Sequence, residues 1–302
     1  MARDLNIRKL LKAVADAREA APAPRLCVVG ADAGRARVAG LLTAGASPDG
    51  AGLVEERAPG DFPRDPVAAG RCGVGVLVAE GLAPAAARPV VDATRAAGGK
   101  LAALVEGGEP AAWRREAGLR ADEVALGSGA RGRRPTLEER VVRAAGDGAV
   151  ALAAALPALR RACAERLVWT TALQNAAIGA VVFVPGADMP AMTANQVRMV
   201  LRIAQAYGED VGPERAAEIL SVVAGGFALR ALARQALDFV PGVGWVLKGA
   251  VGYSGTVAIG EAAIAYFEAG APLRVTRMQG IERRLERIRS RLPGPLRRLA
   301  AG

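Results

Sequence analysis

The sequence predicts an α/β domain with a parallel sheet, followed by an all-α bundle of helical hairpins. Short apolar segments alternate with helical or loop segments in the first half, and two long apolar stretches end in the same tetrapeptide in the second. A length of 302 residues is enough to bury two cores. The predicted limits are 1–24 for an N-terminal amphipathic helix, 25–132 for the α/β domain, 133–167 for a connecting helix, 168–270 for the helical domain and 271–302 for a basic amphipathic tail.

Four apolar segments predict the strands. The first is Leu26–Val29, which precedes a turn at Gly30 and a helical pattern through Val38 and Leu42. The other three candidates begin at Gly73, Gly99 and Asp122. Strands separated by segments of this length predict a parallel sheet with crossover helices.

The segment after the α/β domain reads as helix. A hinge is expected near residue 132, and Thr136 is predicted to cap a helix that carries Glu138 and Glu139 in its first turn. Pro157 is expected to kink or restart this helix, because proline cannot donate to the helical hydrogen-bond ladder.

The tetrapeptide Phe-Val-Pro-Gly occurs at 183–186 and again at 239–242. Each copy ends an apolar helical pattern and is followed by another. Proline stops a helix and glycine permits a tight reversal, so the repeat predicts the tips of two helical hairpins.

Composition excludes several kinds of chemistry. The chain has no histidine, which excludes a Ser-His-Asp triad, Cys-His nucleophile activation and His-ligated zinc. Its three cysteines, Cys27, Cys72 and Cys163, are odd in number and far apart, which argues against a disulfide framework and a CxxC motif. We therefore expect a reducing cytoplasm, no metal site and no cofactor.

The order of elements in residues 25–135 resembles a small GTPase domain of the Era type, as found in bacterial ribosome-assembly GTPases. In that family a P-loop ends in Gly-Lys-Ser/Thr, where this chain has Arg35, Ala36 and Arg37. Arg57 stands where the magnesium-linked aspartate of the switch is expected, and 106–109 read Glu-Gly-Gly-Glu instead of Asn-Lys-x-Asp. Only the final Ser-Ala signature has an echo, in Ser128–Ala130.

The resemblance therefore implies a degenerate P-loop GTPase-like domain that is not an enzyme. If any nucleotide binds, the candidate residues are those of the degenerate loop: Gly30, Asp32, Gly34 and Arg35. Two alternatives stay open. One is a divergent nucleotide hydrolase using Arg35 or Arg37 with Asp32, and the other is an unrelated α/β domain whose loop glycines are only turns.

The second half resembles the family called domain of unknown function 697, or YcjF-related, over about residues 168–270. Its motifs appear in order: Pro-Gly-Ala-Asp-x-Pro at 185–190, Gln-Val-Arg at 196–198 and Phe-Val-Pro-Gly-Val-Gly-Trp at 239–245. Members of the family are often described as membrane proteins and are often fused to Era-type GTPase domains. The resemblance implies a non-catalytic pseudo-GTPase fused to a membrane-associated helical domain, acting in binding and localisation. A soluble homo-oligomeric scaffold is the alternative.

Polar residues interrupt the apolar helices, and four of them form a candidate cluster: Gln174, Asp188, Asn195 and Arg198. The stripe containing Asn195 and Arg198 should not face lipid tails. It is expected to face water, the other domain, or Gln174 and Asn175 across the hairpin. A second pattern, at Ala250, Ser254, Ala258 and Ala262, predicts a small-residue face where two helices approach closely.

The tail concentrates positive charge, with nine arginines and two glutamates between Arg274 and Arg298, in a chain of net charge +10. Met278, Ile281 and Leu285 begin an apolar stripe at helical spacing. This pattern is typical of a helix that docks on an anionic membrane surface, pairs with a partner helix or a second copy of the chain, or packs its apolar face on its own domain. Nucleic acid is disfavoured because the tail has no aromatic residue to stack on bases. The predicted location is the cytoplasm, with the inner face of the plasma membrane as the candidate site of attachment.

Overall fold

The computed structural model describes residues 21–61, 71–106, 109–126, 135–181, 189–211 and 245–270, and all structural statements refer to these. Its centre is a five-stranded sheet in the order β2-β1-β3-β4-β5, with all neighbouring strands parallel. The strands are β1 (Leu26–Val29), β2 (Val54–Arg57), β3 (Val74–Val78), β4 (Lys100–Val105) and β5 (Val124–Leu126). The predicted α/β class, the parallel sheet and the four predicted strands are confirmed.

Burial explains which strands the sequence reveals. Every residue of β1 and β3 is buried, as expected for central parallel strands covered on both faces. Strand β2 has the sequence Val-Glu-Glu-Arg and lies at the edge of the sheet, half-exposed. Three of its four residues are charged, so it lacks the apolar pattern that predicts the other strands, and it was not predicted.

Helices cover both faces of the sheet. In the first half these are α1 (Asp32–Thr43), the single turn α2 (Pro48–Ala51), α3 (Pro84–Ala96) and α4 (Pro110–Glu116). One face packs against α1 and against later helices through a cluster that includes Leu26, Val28 and Leu42. The other face packs against α3 and α4 through a cluster that includes Val90 and Trp113.

The segment 137–181 consists of three helices rather than one. They are α5 (Leu137–Ala145), α6 (Ala149–Ala155) and α7 (Arg160–Val181), joined by 3-10 turns at Gly146–Gly148 and Pro157–Leu159. Helix α5 begins with the predicted cap, in which Thr136 and Glu139 bond each other's backbone N–H groups. The predicted restart at Pro157 is also confirmed.

Helices α5 and α6 pack on the sheet. Val141, Leu152 and Leu156 are buried in the same cluster as Leu26 and Val28 of β1. The predicted hinge near residue 132 lies outside the described residues, and the domain limits stay predictions.

The first predicted hairpin is formed by α7 and α8 (Met189–Ala206). Asn175 of α7 accepts a hydrogen bond from Asn195 of α8. The predicted tip at the first Phe-Val-Pro-Gly lies outside the described residues. A further helix, α9, spans Trp245–Glu268, directly after the second copy.

The chain divides into two compact units, Met1–Ile264 and Ala265–Gly302. The first contains the sheet, helices α1 to α8 and most of α9. Of the second, the structure describes residues 265–270, where α9 ends. The predicted N-terminal helix of 1–24, for residues 1–20, and the tail of 271–302 lie outside the described residues.

Among the described helices, none is both long and apolar enough to cross a lipid bilayer. Helix α7 shows why, because it carries Arg166, Gln174 and Asn175 along its length.

The cysteine prediction is corrected by the fold. Cys27 and Cys72 are joined by a disulfide, with their Cα atoms 5.7 Å apart. They are 45 residues apart in sequence, and the pairing of β1 with β3 brings them together. Cys163 is free and buried, and its burial raises the pKa of this thiol to about 12.

Candidate functional site

The strand order fixes where a ligand site is expected. In doubly wound sheets of order 2-1-3-4-5, ligands bind outside the carboxyl ends of the strands, where consecutive connections leave in opposite directions. Here that point lies between β1 and β3. The loops beside it are Gly30–Ala31 after β1 and Ala79–Gly81 after β3.

Close packing accounts for Gly30 of the predicted loop, and Gly34 is in tight contact with its neighbours. A Cβ on Gly30 would lie 2.9 Å from the Cβ of Val78, and one on Gly34 would lie 3.0 Å from a carboxylate oxygen of Glu80. The loop after β1 thus runs directly against the end of β3. Glycine at these positions is explained without a phosphate.

Arg35 is fully engaged within the fold. Its guanidinium lies 2.9 Å from the carboxylate of Asp32 and 3.3 Å from that of Glu56, and it donates to the carbonyl of Gly30 at 3.2 Å. The structure therefore brings the four predicted loop residues together. The guanidinium of Arg35 is paired with groups of the protein itself.

Arg37 crosses the crevice between the strand ends. Its guanidinium donates to Glu80, after β3, at 2.8 Å and to Glu106, after β4, at 2.5 Å. The hydrogen bond that Arg37 donates to Glu80 and the negative charge of Glu106 raise the pKa of Arg37, although desolvation acts in the opposite direction. These groups are partly exposed, so the pairs contribute little to stability but occupy the crevice with protein charge.

Glu80 brings a negative charge close to the beginning of α1. Its carboxylate lies beside Gly34, where a Cβ would come within 3.0 Å of a carboxylate oxygen. In P-loop proteins a phosphate binds at the start of the helix that follows the first strand. A carboxylate beside that helix end would repel a nucleotide phosphate.

The two other positions that the resemblance compares with GTPase motifs also carry paired side chains. Arg57, where the resemblance implies a magnesium-linked aspartate, pairs with Glu55 on the same strand. Glu106, at the start of the expected base-reading motif, is the partner of Arg37. Each of these side chains has a partner inside the protein.

A second polar site joins the three long helices α7, α8 and α9. The buried Asn175 donates to the hydroxyl of Thr256 at 2.9 Å and to the carbonyl of Met192 at 3.4 Å, and it accepts from Asn195 at 2.9 Å. Gln196 also donates to Thr256, at 3.1 Å. The Thr256 hydroxyl donates to the carbonyl of Gly252, so its hydrogen-bonding capacity is filled.

Helix α9 approaches α7 closely at two glycines that flank Thr256. A Cβ on Gly260 would lie 2.2 Å from Cγ2 of Val168, and one on Gly252 would lie 3.1 Å from the carbonyl oxygen of Asn175. The contact face of α9 is therefore Gly252, Thr256 and Gly260. The predicted face through Ser254 is not the face that meets α7, since Ser254 is exposed.

Comparison with protein-family models gives one match for this part of the chain. Residues 145–292 match the family described as Domain of unknown function (DUF697). No curated protein matches the chain significantly, and neither does any solved structure. The match supports the resemblance seen in the sequence and begins at the end of α5, earlier than predicted.

Within the DUF697 region, the structure only partly assembles the predicted polar cluster. Asn195 faces Asn175, one of the three arrangements left open by the sequence, whereas Gln174 is exposed. Arg198 is half-buried on the same helix as Asn195, and Asp188 lies outside the described residues. Sequence reasoning missed Gln196 and Thr256.

The segment that matches DUF697 also borders a cavity of about 500 Å³ between α5 and α7. Arg140 on its wall donates to the carbonyls of Asp122 and Val124, and Arg143 pairs with the carboxylate of Asp122. Burial and the neighbouring Arg143 lower the pKa of Arg140. These two arginines tie α5 to the end of the sheet.

Proposed function

We propose that the protein is a non-catalytic pseudo-GTPase fused to a DUF697 helical domain, and that it acts as a binding and localisation module. One observation supports the proposal: Arg37 bridges Glu80 and Glu106 at the carboxyl ends of β3 and β4, so that paired protein charges lie beside the loop where a nucleotide would have to bind. A binding module needs the sheet and its surfaces but not this crevice.

Catalysis of phosphoryl transfer depends on positive charge around the transferred group, supplied by lysine and magnesium. In this chain the loop lacks the lysine and the hydroxyl, and its two arginines already pair with four carboxylates: Asp32, Glu56, Glu80 and Glu106. A nucleotide would have to displace these carboxylates and then bind beside them. We expect that exchange to be unfavourable.

Titration of the full chain with fluorescent GTP and ATP analogues, with magnesium, tests the absence of nucleotide binding. We expect no saturable binding at nucleotide concentrations of about 1 mM, which corresponds to a binding free energy weaker than about −4 kcal/mol. Arg37→Ala is the matched variant, because any weak binding through this arginine would be lost in it. Saturable, magnesium-dependent binding with turnover would instead establish the divergent hydrolase.

We further propose that the Arg-rich tail attaches the protein to an anionic membrane surface. The proposal is supported by the excess of arginine from Arg274 to Arg298, each basic residue contributing about 1 kcal/mol near an anionic bilayer. The described helices offer no span that would cross the bilayer.

Flotation with vesicles tests this attachment. We expect the full chain to float with phosphatidylserine vesicles, to float less as salt rises, and to stay unbound with neutral vesicles. A chain ending at Ala271 should lose most of the binding. Binding that resists salt and carbonate and persists without the tail would mean that the helical hairpins insert into lipid.

A further inference from the structure

The side of the sheet between β1 and β2 carries a group of metal-binding side chains that the proposed function does not use. Cys27, Glu55 and Cys72 each offer a ligand atom, and these atoms lie within 4.8 Å of one another. Both cysteines are buried. We infer that, with the disulfide reduced, these three residues form a binding site for a thiophilic divalent metal ion of the Zn²⁺ class.

The sheet itself positions the three ligands. Cys27 of β1 is directly paired with Glu55 of β2, so both side chains leave the same face of the sheet. Cys72 lies two residues before β3 and reaches the same point from the other side of β1. The ligands thus come from three neighbouring segments and are fixed by strand pairing.

The donor set suits zinc. Zn²⁺ binds cysteine thiolates and carboxylates in tetrahedral geometry, and three protein ligands leave the fourth position for water. The charges also balance, because two thiolates and one carboxylate meet a divalent cation and the Arg57 guanidinium that pairs with Glu55. Arg57 would orient the Glu55 carboxylate from behind, as partners of metal ligands commonly do.

The site has an entry path. The side chain of Glu55 is 30% exposed, so the carboxylate edge of the group is open to solvent while the sulfur atoms are buried. A metal ion would approach from this edge.

The disulfide and the metal site are alternative states of one pair of cysteines. A thiol reductant supplies two electrons and two protons, which break the S–S bond and yield two thiols. Binding of one Zn²⁺ then forms two Zn–S bonds and one Zn–O bond and releases the two thiol protons. The sequence concealed this site, because 45 residues separate the cysteines and no CxxC spacing marks them.

Cobalt titration of the full chain, reduced with a phosphine and kept under inert gas, tests the inference. We expect one Co²⁺ per chain, with a thiolate-to-cobalt charge-transfer band that Zn²⁺ abolishes. Cys27→Ala and Cys72→Ala should each lose tight binding. Glu55→Gln should keep the band but weaken binding by about tenfold or more.

Cys163→Ala is the control, since this cysteine is buried elsewhere and should leave the titration unchanged. If the cysteine variants fail to fold, Glu55→Gln still tests the inference, because Glu55 is partly exposed on an edge strand. Two free thiols without a charge-transfer band in excess Co²⁺ would overturn the inference. So would a disulfide that opens only in denaturant, or a Co²⁺ affinity equal in the Glu55→Gln and parent chains.

Discussion

Gly260→Ala is expected to lower the free energy of unfolding by about 1–3 kcal/mol, the usual cost of overpacking a well-packed site. The new Cβ would lie 2.2 Å and 2.7 Å from the two Cγ atoms of Val168 on α7. Valine in a helix is held in one rotamer, so it cannot rotate away, and the two helices must separate. The better helix propensity of alanine, about 1 kcal/mol, opposes this cost without cancelling it.

Gly255→Ala on the same helix is the matched control. A Cβ at Gly255 meets nothing within 4 Å, so this variant should gain up to about 1 kcal/mol from helix propensity alone. Urea unfolding followed by circular dichroism measures both. In the double variant Val168→Ala with Gly260→Ala, the cost should be less than the sum of the two single changes. Equal stabilities for the two glycine variants would contradict the packing of α9 on α7.

Asn175→Leu is expected to cost about 1–3 kcal/mol, because it keeps the branching at Cγ but leaves buried polar partners unpaired. The hydroxyl of Thr256 loses one donor and the amide of Asn195 loses its acceptor. A leucine gains some apolar burial, which is why the expected cost is not larger.

The neighbouring Gln174→Leu supplies the control for this change. Gln174 is exposed, so its substitution should alter the free energy of unfolding by no more than about 0.5 kcal/mol. Thr256→Val removes the other end of the hydrogen bond, and together with Asn175→Leu it should show a coupling energy different from zero. If the two substitutions on α7 have the same effect, the network does not hold the three helices together.

The parts of the fold that follow from local chemistry were predictable. Strand β1 was predictable because a central parallel strand is covered on both faces and is therefore apolar throughout. The start of α5 was predictable because Thr136 and Glu139 form a capping box. Strand β2 breaks this rule, since it lies at the edge and carries charge on both sides. Only pairing with β1 makes it a strand.

The sites depended on contacts that spacing does not specify. Two stripes at intervals of four run along α9, one through Ser254 and one through Thr256, and nothing local decides which meets α7. The missed pairing of Cys27 with Cys72 has the same cause, because strand order sets it. For the crevice, the missing lysine was readable in the sequence, whereas the bridge from Arg37 to Glu80 and Glu106 was not.

The packing of α6 on the sheet bears on how the two regions of this chain depend on each other. The DUF697 match begins at residue 145, so Leu152, Leu156 and Leu159 lie within the matched segment. By position they are part of the hydrophobic layer beneath β1 and β3. A chain that ended near residue 145 would therefore leave the apolar side chains of β1 and β3 on this face partly uncovered. The matched segment supplies part of the core of the α/β domain, so the two regions are not independent folding units.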